Sequence, residues 1–168
     1  MPDLLVKLYE LPDVEEARRR LEARHGVVVR RALPPERREV VHWVARVFGD
    51  QWASEVEVAF GRTPPACVIA VRDQEILGFS VYDTTFRGFL GPIGTAPEAR
   101  GMGIGRVVLL AALRELWHLG YAYAIVGAAG PVEFFQRVAG AQVIPESSPG
   151  PYRGILRPRR FGEEPSTA

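Results

Sequence analysis

The chemistry most legible in the chain sits in Arg100-Gly101-Met102-Gly103-Ile104-Gly105. Alternating glycines let a backbone come close to a ligand and take dihedrals that other residues avoid. They stand directly before a run whose Leu109, Ala112, Leu113 and Leu116 share one helical face. Free N–H groups at a helix start, with the helix dipole behind them, bind an anion such as a phosphate. Arg100 adds a charge-assisted contact. A tight strand-to-helix turn alone needs fewer glycines than this. Two common phosphate loops do not fit. A dinucleotide fingerprint G-x-G-x-x-G counted from Gly101 meets Arg106 where its last glycine belongs, and counted from Gly103 it meets Val108. A Walker A loop needs Gly-Lys-Ser/Thr, and Lys7, the only lysine, follows a valine.

Other reactive residue types point to packing. His25, His42 and His118 are scattered, with no H-E-x-x-H among them, which argues against a metal site. Cys67 is the only cysteine, so no intrachain disulfide forms, and its place in an apolar strand predicts an inert buried thiol. Trp43 and Trp117 read as core aromatics, and Trp52 suits the mouth of a substrate pocket.

The elements that position the glycine turn alternate in period. Leu4 to Leu11 reads as a short strand, and Val14 to Arg24 as a helix with acids first and arginines later, stopped by Gly26. Val27-Val28-Val29 reads as a strand. Pro34-Pro35 opens a helix with Val40, Val41, Val44, Val47 and Phe48 on one side, closed by Gly49. Trp52 to Phe60 reads as a second helix, with Ser54 and Glu57 at capping-box spacing. Ala66 to Arg72, a turn at Asp73-Gln74, and Ile76 to Asp83 form a hairpin, and Gly88 to Thr95 is a third strand. Beyond the glycine turn come a helix to Leu119, a buried strand over Tyr121 to Val126, and a helix over Val132 to Ala139. Val143-Ile144 and Tyr152 to Leu156 read as final strands. Arg157 to Ala168 reads as a flexible tail, and its Arg157-Pro158-Arg159-Arg160 as a solvated basic run.

The chain has 168 residues, 47% hydrophobic and 24% charged, enough for one α/β domain with a sizeable core. Its net charge of +1 gives no case for nucleic-acid binding. Asp3, Lys7 and Glu10 interrupt the start where a secretory signal would be apolar. The longest uncharged run, Leu116 to Val132, is punctuated by glycines and Pro131. A cytoplasmic protein without membrane contact is expected.

Arg100 to Gly105 resembles R/Q-x-x-G-x-G/A, the coenzyme A pyrophosphate loop of the GNAT superfamily of N-acyltransferases. Thr95-Ala96-Pro97-Glu98-Ala99-Arg100 looks like that family's approach to the loop, and Val132 to Ala141 is similar to its late helix. The resemblance spans about Val27 to Ile144, and is strongest to members with an added N-terminal strand and helix, here residues 1–26, ahead of a domain at 27–156. It implies the GNAT fold, a mixed and mostly antiparallel sheet flanked by helices, and an N-acetyltransferase that moves an acetyl group from acetyl-CoA to an amine by direct attack. The backbone of Gly101, Met102, Gly103, Ile104, Gly105 and Arg106 would hold the pyrophosphate. The pantetheine arm would lie along Ile93, Gly94 and Thr95, and an N–H from this stretch would stabilise the oxyanion.

Two positions depart from the family pattern. Phe135 stands where a tyrosine usually protonates the leaving thiolate, and Ala128 replaces a frequent asparagine. They keep a second reading open, a coenzyme A-binding regulatory domain with little or no catalysis. A nucleotide- or nucleic-acid-binding module is a third and weaker class. In the catalytic reading the resemblance puts Asp83, Glu55 and Glu57 at the border of the acceptor pocket, as holders of the amine or as general base. Tyr152 is the candidate replacement acid if the final strand returns beside Phe135. The acceptor would be a small-molecule or peptide amine, and a homodimer is expected from the family's habits.

Overall fold

The computed structural model describes residues 1–156. The expected tail, with Arg157-Pro158-Arg159-Arg160, lies outside them. Strand β1 (Leu4–Lys7) leads through a 3-10 turn to α1 (Glu15–His25), which Gly26 ends in the left-handed region at φ 64°. Strand β2 (Val28–Arg31), helices α2 (Arg37–Phe48) and α3 (Asp50–Ala59), and strands β3 (Cys67–Arg72), β4 (Glu75–Tyr82) and β5 (Phe89–Thr95) follow. Then come α4 (Ile104–His118), β6 (Tyr123–Val126), α5 (Val132–Ala139) and β7 (Gln142–Val143).

The seven strands of the described residues share one sheet in the order β2-β3-β4-β5-β6-β1-β7. Every neighbouring pair is antiparallel except β5 and β6. The mixed, mostly antiparallel α/β architecture read from the sequence is therefore the one observed.

Two adjacent β4 residues fix which helices cover which face. A Cβ at Gly78 would come within 2.6 Å of Ile104 Cγ2, so α4 lies on that face. Phe79, pointing the other way, meets Trp43, Phe48 and Trp52 of α2 and α3. Phe48 in turn lies so close over Gly94 of β5 that any side chain there would collide with its ring. Helix α4 is buried along most of its length, from Ile104 to Leu116.

Three sequence expectations are corrected. Helix α3 begins at Asp50 rather than Trp52, and Ser54 lies inside it, its hydroxyl donating back to the Asp50 carbonyl. Ser54 and Glu57 thus form no capping box; Glu57 pairs instead with Arg37 of α2 at 3.7 Å. The N-terminal strand stops at Lys7, because Leu8–Glu10 turn into 3-10 geometry.

The largest difference concerns the last strand. Tyr152 to Leu156 is not extended: Gly150–Tyr152 is a 3-10 turn, and β7 is the last strand among the described residues. The slot between β6 and β7 is filled by β1, which pairs Leu4 with Val126 on one side and with Val143 on the other. Residues 1–26 do contribute a strand and a helix, but the strand lies inside the sheet. Leu4, Val6 and Leu8 are wholly buried there. Among the described residues no helix is long and apolar enough to cross a membrane.

Because β1 is an interior strand, Leu4→Ala should cost about 2–5 kcal/mol in denaturant unfolding. An appended strand would lose less than about 0.5 kcal/mol.

Candidate active site

The glycine turn folds as a cradle of free amides. Gly101 and Gly103 take φ of 84° and 90°, and Gly103 is the residue just before α4. The first bond into the helix comes from Val107 N–H to the Gly103 carbonyl, at 3.3 Å. Among the described residues, the N–H groups of Gly101, Met102, Gly103, Ile104, Gly105 and Arg106 donate to no protein acceptor. Nor does the first turn of α4 carry an acid to take up the positive end of the dipole. Built Cβ atoms at Gly101 and Gly103 meet nothing within 4 Å, so the space above them is open. Six consecutive N–H groups here have no protein partner, the condition in which a helix start takes up an anion.

A gap opens beside the cradle. β5 and β6 pair only at Phe89–Ile125 and Leu90–Val126. The β4–β5 register then steps two residues on β4 (Ser80 to Tyr82) against three on β5 (Leu90 to Ile93), a bulge at Gly91-Pro92. Ala96 N–H donates to Leu77 of β4. By the period of two, the amides of Ile93 and Thr95 face away from β4, into the gap, and Gly94 N–H faces β4. Gly105 joins gap and cradle: a Cβ there would lie 3.3 Å from Thr95 Oγ1 and 3.5 Å from the Phe134 ring.

Beyond the closed end of the gap, on the α2–α3 face, a second group gathers. Thr85 donates its hydroxyl to Glu55 of α3. The Tyr152 ring meets Phe86 edge-on, and its hydroxyl lies over Gly127, where a Cβ would also be 3.1 Å from Phe89. Glu55 is half-buried, and burial raises its carboxyl above the usual carboxylate range despite the Thr85 bond. The Tyr152 hydroxyl is pushed up to about 12, first by burial and then by the charges of Glu55 and Asp3. Glu55 is thus near enough to Tyr152 for its charge to act on the hydroxyl, and Trp52 lies on the same helix as Glu55.

Asp83 has a different task. It is 7% exposed, at φ 58°, and accepts from Gly88 N–H, from Tyr121 Oη at 3.1 Å and from Arg62 Nη1 at 3.0 Å. These bonds tie the β4–β5 turn to Arg62 and to the segment just before β6. Glu57 is more than half exposed in its pair with Arg37.

The sequence model of the GNAT acetyltransferase family matches residues 33–140. The chain belongs to this family. No curated protein matches it in sequence. The glucosamine N-acetyltransferase region of a fungal multi-domain GH3 β-N-acetylglucosaminidase superimposes with a TM-score of 0.69 at 18% identity, over 85% of this chain and 19% of that one. A GCN5-related N-acetyltransferase from Sphaerobacter thermophilus gives 0.66 at 19% identity, over 85% and 48%. A GNAT acetyltransferase from Brucella melitensis, in complex with acetyl-CoA, gives 0.54 at 19%, over 71% and 88%. The chain therefore spans about a fifth to a half of the first two proteins. At these identities the likeness is one of fold.

Within the GNAT frame, Phe135 is buried at 3% exposure, and its neighbour Phe134 is the ring that faces the cradle. Ala128 takes a φ of 45°, and its N–H donates to Asp3 Oδ1 at 2.7 Å. Asp3, Thr85 and Phe134 were not legible as site residues. Asp3 acts across the fold from the N-terminus, and only the fold brings Thr85 to Glu55. Cys67 is fully buried, and its thiol is pushed up to about 12 by burial, fitting an inert thiol. Among the described residues no His, Cys, Asp or Glu cluster is arranged to hold a metal.

Glu55 predicts a pH effect with a definite sign. A carboxyl raised in the fold gives stability that is complete below its unfolded value and lost as pH rises through the folded one. Glu55→Gln should therefore gain stability relative to wild type as pH goes from 4 to 8, followed by thermal melting. A difference that stays flat would show that Glu55 is not desolvated.

Proposed function

We propose that this protein is an N-acetyltransferase that binds acetyl-CoA with its diphosphate on the amides of residues 101–106 and passes the acetyl group directly to an amine. The unpaired cradle, in a chain of this family, is the observation that carries the reading. Acetyl-CoA supplies an activated acyl carbon and a thiolate that leaves readily. Arg100, exposed and without an ion-pair partner among the described residues, is free to meet the phosphates. The edge of Ile93, Gly94 and Thr95 offers the pantetheine arm the strand pairing that β6 withdraws. The Ile93 or Thr95 N–H, aimed into the gap, stabilises the oxyanion as the amine attacks.

Glu55 is the general base of this reading. An alkylammonium near its ordinary pKa of about 10 must lose a proton before its nitrogen can attack. A carboxylate whose affinity for protons is raised by burial takes that proton, directly or through water, better than an exposed one. Tyr152, protonated throughout the neutral range, gives the departing sulfur a hydrogen bond in place of the acid that Phe135 cannot be. As the C–S bond breaks, the sulfur keeps the electron pair and the new amide keeps the acetyl group. A homodimer completes the reading, on the family resemblance alone.

The regulatory, non-catalytic alternative is favoured by Phe135 and Ala128, and one assay separates the two. Thiol release from acetyl-CoA should rise above hydrolysis with at least one member of an amine panel. Gly103→Val should weaken coenzyme A binding by at least about tenfold, or 1.4 kcal/mol, because a branched side chain strains at φ 90° and fills the open space. Tight binding without release on any amine would favour the regulatory reading. Undiminished binding in folded Gly103→Val would remove the cradle from either.

A further inference from the structure

The cradle has two flanks, and the nucleotide end of the donor needs only one of them. On the first, Gly105 faces Thr95 and Phe134 and leads into the gap between β5 and β6. On the other, Met102, Gly103 and Arg106 open into a cleft of about 330 Å³ against α1, where Arg20, Arg24 and His25 form the opposite wall. If the diphosphate sits on the cradle and the pantetheine arm enters the gap, the nucleotide arm leaves on the α1 side.

The charges of this cleft are unevenly spent. Its Asp13 caps the start of α1, accepting from Glu15 N–H at 2.9 Å, and its Glu16 is held by Arg20. Arg24 and Arg106 are exposed and have no acidic partner among the described residues. Two arginines thus line one cleft from two helices, next to a row of free amides. A phosphate monoester suits such a pair, since each guanidinium offers a fork of donors and the monoester brings close to two negative charges.

We infer that the cleft between α1 and the start of α4 is a subsite for the 3′-phosphate of the donor's nucleotide, with Arg24 and Arg106 as its clamp. This rests on the acetyl-CoA reading above and extends it to α1, which lies outside the family match at residues 33–140. It gives the arginine-rich helix a task beyond packing. Leu21 is the only α1 residue fully in the core, so core packing does not require Arg24.

Calorimetry with coenzyme A and with 3′-dephospho-coenzyme A isolates the one group concerned. Wild type should bind coenzyme A at least about tenfold more tightly than the dephospho form. Arg24→Glu should lose most of that preference, weakening coenzyme A by about tenfold and the dephospho form by less than about threefold. Arg106→Ala, which leaves the backbone N–H in place, should act in the same direction. Both side chains are exposed, so the melting temperatures should stay near that of wild type. Equal wild-type affinity for the two ligands, or an Arg24→Glu loss shared equally by both, would overturn the subsite and leave the cradle standing. Failure of wild type to bind either ligand would overturn the donor reading, and the subsite with it.

Discussion

A backbone N–H that no protein acceptor takes up is left to water or to a ligand. Here two sets lie side by side. One is the run of amides from Gly101 to Arg106, and the other is the edge of β5 abandoned by β6 after Leu90. In the proposed reading a ligand with a diphosphate and an amide-bearing arm takes up both sets. Much of the rest of the structure keeps these groups unpaired and aimed. The Gly91-Pro92 bulge turns β5 away from its parallel neighbour. Gly94 admits Phe48 from one face, and Gly78 admits Ile104 from the other, so the strand and the helix start are each set by a close contact.

Two buried acids hold the ends of this arrangement. Asp83 joins the β4–β5 turn to Tyr121 and Arg62 at the closed end of the gap. Asp3 receives Ala128 N–H just past β6, and its own backbone N–H donates to Ser147 at 2.8 Å. The N-terminus thereby organises the loop where strand pairing has stopped. An interior β1 and a clamped Ala128 are one feature seen twice, since Asp3 directly precedes the strand. Glu55, by contrast, has one side-chain partner among the described residues, Thr85, and burial raises its carboxyl above the usual range.

The glycine turn, the helix after it and the order of the central strands were legible because each has a local cause. Alternating glycines, a sustained apolar face and β-branched runs report on neighbours within a few residues. The role of β1 was not legible. Its four residues carry no sign of which strands they join, and the slot beside β6 can be filled from either end of the chain. Tyr152 to Leu156 looked extended for the same reason: an apolar, aromatic segment suits a strand only when an edge is available, and β1 already occupies it. Ser54 and Glu57 had capping spacing by coincidence, because Gly49 lets the chain turn into α3 before either is reached. Among the acids, Asp83 and Glu55 could not be ranked from sequence, since the donors that engage Asp83 come from Arg62, Gly88 and Tyr121.

Hydrogen exchange tests the central claim most directly, because the claim is about amides. With saturating coenzyme A, exchange should slow at residues 101–106 and at Ile93 and Thr95. The amides of α2, already paired within the helix, should be unchanged. Protection confined to other parts of the chain, or none at residues 101–106 while coenzyme A is bound, would contradict the account.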